Sequence, residues 1–222
     1  MKLPRLYPIV DASLFSNADA MLTAAAELFD AGCTLLQYRN KSGNARVMLE
    51  HARELRRVFP SGQNPDGQNR PAVAHPNRNG SVRLVMNDRA DVCLAAEFDG
   101  VHVGQDDLLP SSVRAIIGSE RWLGVSTHNS EQLSEADLTS ADYLAIGPVF
   151  ATASKEKPDP VVGLEGVRRA RALTRKPLVA IGGITRANAA SVIDAGADSV
   201  AVISGLLREP RKSAEEFFRI LR

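Results

Sequence analysis

The chain has 222 residues, 44% of them hydrophobic, enough to bury one large core, and an α/β barrel closes as a single domain over roughly 200 to 250 residues. Twenty-seven basic residues against 26 acidic ones leave a net charge of +1, so no global field holds a nucleic acid or an anionic membrane, and any anion must be gripped locally. No apolar run approaches the ~18 residues of a membrane span, the first residues carry no apolar signal core, and Cys33 and Cys93 lack disulfide or metal spacing; the expectation is a cytoplasmic chain with two small buried thiols.

Short β-branched or apolar runs predict strands at Leu6–Val10, Thr34–Tyr38, Arg83–Met86, Gly100–Val103, Trp122–Ser126, Tyr143–Ile146, Leu178–Ile181 and Ser199–Ile203. Helical patterns fall between them at Asp19–Ala31, Ala45–Val58, Ala90–Glu97, Pro110–Ile117, Ser130–Ala136, Leu164–Thr174 and Arg186–Ala195, with Ser213–Leu221 last. This alternation predicts parallel β-α units that close into a single (β/α)8 barrel, the TIM barrel, over residues 1–222, with the active site at the C-terminal ends of the strands. An open doubly wound sheet is the alternative. Its glycine-rich turn is missing after the first strand, where Val10-Asp11-Ala12-Ser13 stands. Residues 60–81, dense in Pro, Gly and Asn, read as an insertion with little to pack, poorly ordered and on the face opposite the active site.

Polar residues collect at the predicted strand ends. The second strand runs into Gln37-Tyr38-Arg39-Asn40-Lys41, whose odd positions share one side. A glutamine amide can read a heterocycle edge, and a guanidinium and an ammonium can clamp phosphate, although the motif alone also suits a solvated strand end. The third strand ends in Asn87-Asp88, and the fourth is followed by Gly104-Gln105-Asp106-Asp107. Carboxylates at neighbouring strand mouths can share one Mg2+, which takes one or two of them with water and phosphate oxygens. Position favours Asp88 and Asp107, while Asp106 suits the surface equally well.

After the fifth strand, Asn129 reads as a helix cap, His128 as either a packing residue or an acid-base group, and His102, inside the fourth strand, as structural. The segment from Gly147 to Lys155, long and rich in small hydroxyls, suits a mobile flap over an anion. Ile181-Gly182-Gly183-Ile184-Thr185 and Val202-Ile203-Ser204-Gly205 suit the phosphate site that recurs after strands seven and eight of this fold, although each glycine alone also suits a tight turn. A metal site, a monophosphate pocket and a separate basic clamp together suit the joining of two phosphorylated pieces.

Six segments, at 37–41, 87–91, 99–107, 124–128, 147–150 and 180–185, resemble in order and spacing the motif set of thiamine-phosphate synthases, over nearly the whole chain outside 60–81. The resemblance implies an Mg2+-dependent transferase of thiamine biosynthesis. Its substrates would be 4-amino-5-hydroxymethyl-2-methylpyrimidine diphosphate and 4-methyl-5-(2-phosphoethyl)thiazole, or the carboxylate form of the latter, joined by a dissociative route to give thiamine phosphate and pyrophosphate. Carried over residue by residue, Gln37 contacts the pyrimidine, and Arg39, Lys41, Asn87 and Lys155 hold the diphosphate with Ser126 beside it. Asp88 and Asp107 bind Mg2+, while Thr152, Gly183, Ile203 and Ser204 surround the thiazole phosphate. Arg39, Lys41, Ser126 and Lys155 are the catalytic residues of this reading.

Ser154 stands among the substrate-binding residues where the family often has threonine, and Ala151 replaces a frequent proline. The rival readings are a thiazole tautomerase paralogue and a non-catalytic phosphate-ligand sensor. Asn87-Asp88 and Gln105-Asp106-Asp107, which the tautomerases tend to lack, are both intact. The implied partners are small-molecule substrates, with no nucleic acid or membrane, and the oligomeric state is left open.

Overall fold

In the computed structural model, which describes residues 2–59, 82–152 and 159–222, eight parallel strands close in chain order. They are β1 (Leu6–Asp11), β2 (Leu35–Arg39), β3 (Arg83–Asn87), β4 (Gly100–Val103), β5 (Trp122–Thr127), β6 (Tyr143–Ile146), β7 (Leu178–Ile181) and β8 (Ser199–Val202). Closure is made by β8 returning to β1 in parallel, with Leu6 opposite Val200. The outer helices are α1 (Ala18–Asp30), α2 (Ala45–Val58), α3 (Ala90–Ala95), α4 (Pro110–Ile117), α5 (Ser130–Asp137), α6 (Gly163–Leu173), α7 (Ala189–Asp194), α8 (Ser204–Leu207) and α9 (Pro210–Ile220).

The two-residue period of a strand sorts its side chains into two rows. One row, with Tyr7, Ile9, Leu35, Val85, Tyr143, Ala145, Val179 and Ala201, packs together inside the barrel. The other, with Leu6, Val10, Leu36, Leu84, Met86 and Val101, joins the larger core under the helices. Cys33 and Cys93 are buried as free thiols, and burial pushes both up to about 12, so they behave as small apolar residues.

At the N-terminal ends of the strands one arrangement occurs three times. Asp99, Asp142 and Asp198, each just before an even-numbered strand, accept the backbone N–H of Leu84, Leu123 and Leu178 on the preceding strand at 2.7, 2.7 and 2.8 Å. The same Oδ2 atoms accept from Arg56, Arg114 and Arg171 of α2, α4 and α6 at 2.7, 2.6 and 2.9 Å. Each carboxylate ties a strand pair to an outer helix through charge-assisted hydrogen bonds. This face therefore serves stability, as expected for the bottom of such a barrel.

Several expected boundaries are corrected. β1, β2, β3 and β5 each run one residue further, into Asp11, Arg39, Asn87 and Thr127, because the parallel ladder continues past the last apolar residue. The helix expected at Arg186–Ala195 begins at Ala189: Asn188 Oδ1 accepts from Thr185 N at 2.7 Å and its Nδ2 donates to Gly183 O at 3.1 Å, which holds 183–188 as a turn. The last helix starts at Pro210, three residues earlier than expected, since proline is well suited to a first helical position. The strand expected through Ile203 stops at Val202, and the short α8 follows at once. Residues 60–81 lie outside the described residues; their neighbours Phe59 and Val82 are buried at the bottom of the barrel. Among the described residues no helix is long and apolar enough to cross a membrane.

Candidate active site

The inward rows of β1 to β5 end in polar side chains at the top of the barrel. Asp11 and Arg39 face each other in register at the mouths of β1 and β2, and their side chains form an ion pair. Asp11 is 4% exposed and also accepts from Ser13 N at 3.0 Å and Ser13 Oγ at 2.7 Å. The guanidinium of Arg39 is thus held in place from the neighbouring strand. Lys41, half exposed, reaches across to Asp88 Oδ2.

Asp88 has φ of +64°, a left-handed conformation that aspartate tolerates better than most residues and that clusters at functional sites. Its N–H donates to His102 O at 2.8 Å, so the backbone is still tied to β4 at this residue. Oδ1 accepts from Asn87 Nδ2 at 2.9 Å. The Asp107 carboxylate adjoins it, anchored by Gly104 N at 2.7 Å from Oδ2. Burial first, and Asp107 with it, push the Asp88 carboxyl up to about 6 against the opposing pull of Lys41.

Two adjoining carboxylates, with no cluster of three or more His, Cys, Asp or Glu among the described residues, make a donor set that fits one hard cation completed by water and phosphate oxygens. Asp106 is exposed and outside this pair. Asn87 Oδ1 is buried without a hydrogen-bond partner among the described residues, while its Nδ2 gives one hydrogen to Asp88 and keeps a second that a diphosphate oxygen can accept.

Ser126, at the mouth of β5, lies next to these groups. Its backbone oxygen accepts from Gln105 Nε2 at 2.6 Å, and its Oγ is 2.8 Å from His102 Nε2. His102, expected to be structural, lies inside the barrel beneath the site; burial lowers it to about 4, so the ring is neutral. Asn129 caps α5 as expected, accepting from Gln132 N at 2.9 Å. His128 Nδ1 lies 2.6 Å from Gly147 O and its Nε2 3.5 Å from Asp159, so it ties together the two ends of the segment between β6 and α6. Thr152 is half-buried on that segment; Ser154 and Lys155 lie outside the described residues.

Four strands round the barrel from β3, Gly182 and Gly183 follow β7 with φ of +98° and +63°. A β-carbon on Gly182 would sit 2.5 Å from Pro148 Cβ, and one on Gly183 2.5 Å from Ala151 O, so glycine is needed both for the turn and for its approach to the β6 loop. Their carbonyls are bound, Gly182 O by Phe150 N at 3.0 Å and Gly183 O by Asn188 Nδ2 at 3.1 Å. Beside them Ile203 leads into α8, whose first residues Ser204 and Gly205 are exposed. This is the placement of the phosphate site made by the last two loops and a short extra helix. A cavity of about 490 Å3 opens past Ser204 and Gly205, lined also by Arg186, Arg208, Glu209 and Ser213.

The structure thus brings Gln37, Arg39, Lys41, Asn87, Asp88, Asp107 and Ser126 to the top of β2–β5, and Gly183, Ile203 and Ser204 to the top of β7–β8. Asp11, Tyr7 and Tyr143 were missed from the sequence; for the first two the signal was the inward parity of positions 7, 9 and 11, which places Asp11 opposite Arg39.

A closed (β/α)8 barrel with a carboxylate pair beside a lysine and a glycine-lined loop pair at its C-terminal face is an enzyme scaffold. A family model described as thiamine monophosphate synthase matches residues 71–206. The chain is 56% identical to the thiamine-phosphate synthase of Koribacter versatilis, over all of this chain and 97% of that protein. It is 41% identical to that of Chloroflexus aurantiacus, over 91% and 85%. The solved thiamine phosphate pyrophosphorylase of Pyrococcus furiosus superposes with a TM-score of 0.77 at 29% identity, covering 98% of this chain and 95% of that one. The chain belongs to the thiamine monophosphate synthase family, and its activity is that of a transferase of thiamine biosynthesis.

Proposed function

We propose that the enzyme condenses 4-amino-5-hydroxymethyl-2-methylpyrimidine diphosphate with 4-methyl-5-(2-phosphoethyl)thiazole, or its carboxylate form, and that Asp88 and Asp107 hold the Mg2+ the reaction uses. The observation that carries this reading is the adjoining Asp88–Asp107 pair, with Lys41 on Asp88 and Arg39 at the end of the neighbouring β2, set across the barrel from the Gly182-Gly183 turn.

The bond that breaks joins the pyrimidine methylene to the diphosphate oxygen. Arg39 and Lys41, with Lys155 between β6 and α6 in the sequence, place positive charge where that oxygen becomes negative, and Ser126 and Asn87 donate hydrogens to the same group. When bound, Mg2+ adds neutralisation of the departing diphosphate. Gln37 reads the edge of the pyrimidine, whose amino group delocalises the positive charge left on the methylene. The thiazole, anchored by its phosphate among Thr152, Ser154, Gly183, Ile203 and Ser204, presents its ring nitrogen, whose lone pair forms the new C–N bond. Positioning two bound partners replaces a protein nucleophile or a strong base.

The test is to supply both substrates with Mg2+ and measure both products. Equal amounts of thiamine phosphate and pyrophosphate, lost in excess EDTA, are expected. Isomerisation of a thiazole phosphate alone, without pyrophosphate, would replace this reading with that of a tautomerase.

A further inference from the structure

Inside the barrel, beneath the site, five side chains from five strands form one hydrogen-bonded chain from Gln37 to Ser126. Gln37 Nε2 donates to the Tyr7 hydroxyl at 3.0 Å, and the Tyr7 and Tyr143 hydroxyls are 3.0 Å apart. Tyr143 OH lies 3.0 Å from His102 Nδ1, and His102 Nε2 lies 2.8 Å from Ser126 Oγ. Tyr7, Gln37, His102 and Tyr143 are all buried. Gly124 makes room for the central link: a β-carbon there would sit 2.1 Å from Tyr143 Cζ and 2.4 Å from His102 Nδ1.

Each hydroxyl carries one hydrogen, and a neutral imidazole carries one N–H. With the buried Tyr7 and Tyr143 hydrogens both bonded within it, such a chain runs in only two directions. If Gln37 donates to Tyr7, then Tyr7 donates to Tyr143 and Tyr143 donates to Nδ1. The imidazole proton is then on Nε2, where it is given to Ser126 Oγ, and the Ser126 hydrogen is left to point into the site. In the opposite direction the Gln37 carbonyl accepts from Tyr7, Nδ1 carries the proton, and Ser126 gives its hydrogen to Nε2, which leaves only lone pairs facing the site.

We propose that the chain runs from Gln37 to Ser126 with His102 fixed as the Nε2–H tautomer, and that Tyr7, Tyr143 and His102 are positioning residues for both ends of the pyrimidine diphosphate. The proposal rests on the reading that Gln37 meets the pyrimidine and Ser126 the diphosphate. Only this direction gives Ser126 a free donor for an anionic oxygen and leaves Gln37 Oε1 as a free acceptor for an exocyclic amino group. The reverse would set lone pairs against the diphosphate and an amide NH2 against an amino group, which is repulsive at both ends. A single tautomer thus governs how both ends of one substrate are read.

The first test is 15N NMR of the histidine-labelled protein without substrates, with the His102 signals assigned by their loss in His102→Gln. A neutral Nε2–H tautomer is expected, and an Nδ1–H tautomer would overturn the proposal. This measurement needs no turnover, so a failure of the proposed reaction would leave its result standing. The second test uses Tyr7→Phe and Tyr143→Phe, each of which deletes one hydroxyl from the chain. Both should raise KM for the pyrimidine diphosphate about tenfold while KM for the thiazole phosphate is unchanged, and Tyr143→Phe should leave His102 in a mixture of tautomers. An unchanged KM for the pyrimidine diphosphate, or equal losses for both substrates, would show that the chain only packs the barrel and would overturn the proposal.

Discussion

The carboxylate of Asp11 holds the guanidinium of Arg39 across the β1–β2 pair, in direct register and largely out of water. In the proposed reaction Arg39 would therefore meet the diphosphate with its orientation already set, which lowers the cost of ordering a long side chain. Asp11→Asn, which keeps the shape and removes the charge, should raise KM for the pyrimidine diphosphate by about tenfold and leave thiazole-phosphate binding unchanged. Steady-state kinetics with each substrate varied in turn check this. An unchanged KM would show that Arg39 needs no such support.

His102 gives the protein a defined pH response. Its folded value of about 4 lies below the ordinary histidine value, so above about pH 6.5 both the folded and unfolded states are neutral there and the stability is fully present. As pH falls from about 6.5 towards 4, the unfolded chain takes up a proton that the folded one refuses, and stability is lost. The loss is of order 3 kcal/mol. Urea melts of the wild type and of His102→Gln across this range measure it as the difference between the two curves; parallel curves would contradict the burial argument.

The glycine turn after β7 is tightly packed, which limits the substitutions that can probe the proposed monophosphate pocket. A valine at Gly183 would collide with Ala151 O and Phe150, so it would disturb the β6 loop as well as phosphate binding. Ser204 is exposed and accepts a larger side chain. Ser204→Asp should weaken thiazole-phosphate binding by about a hundredfold through like-charge repulsion while the pyrimidine diphosphate binds as before. Calorimetry with each ligand separately decides it, and equal affinity for the thiazole phosphate would move the pocket elsewhere.

Most of the fold was legible because apolar parity and helical spacing are local signals, and the eight strands were found within a residue at either end. The shortfalls have physical causes. Apolar runs stop at the first polar residue, whereas backbone ladders continue, so Asp11, Arg39 and Asn87 fell outside their predicted strands. α8 has four residues, too few for a periodic pattern. The Asp99, Asp142 and Asp198 repeat was visible as an aspartate before alternate strands, but its arginine partners lie 43, 28 and 27 positions away. The Gln37–Ser126 chain needs contacts between residues up to 136 positions apart, which no local pattern carries. The strand-end residues could be grouped from the sequence alone because a closed parallel barrel places every strand's C-terminal end on one face.

Residues 60–81 leave from the end of α2 and return to the start of β3, the face where Asp99 and Arg56 tie strand to helix. Changes there should act on stability and spare chemistry. Replacing them by a short linker from Phe59 to Val82 should leave turnover and both substrate affinities within about twofold, since closing a shorter loop changes the entropy by only about 0.6 kcal/mol per halving. A large loss of turnover in a folded variant would show that the segment reaches the site or a neighbouring subunit.

In the proposed reaction the Asp88–Asp107 pair acts on the departing diphosphate while the thiazole phosphate is held elsewhere. This is tested most directly by measuring turnover and thiazole-phosphate Kd side by side in Asp107→Ala. Turnover should fall by about a hundredfold or more while Kd stays within about twofold of the wild type. Equal losses in turnover and affinity would contradict it, because the pair would then be holding the fold or the thiazole itself.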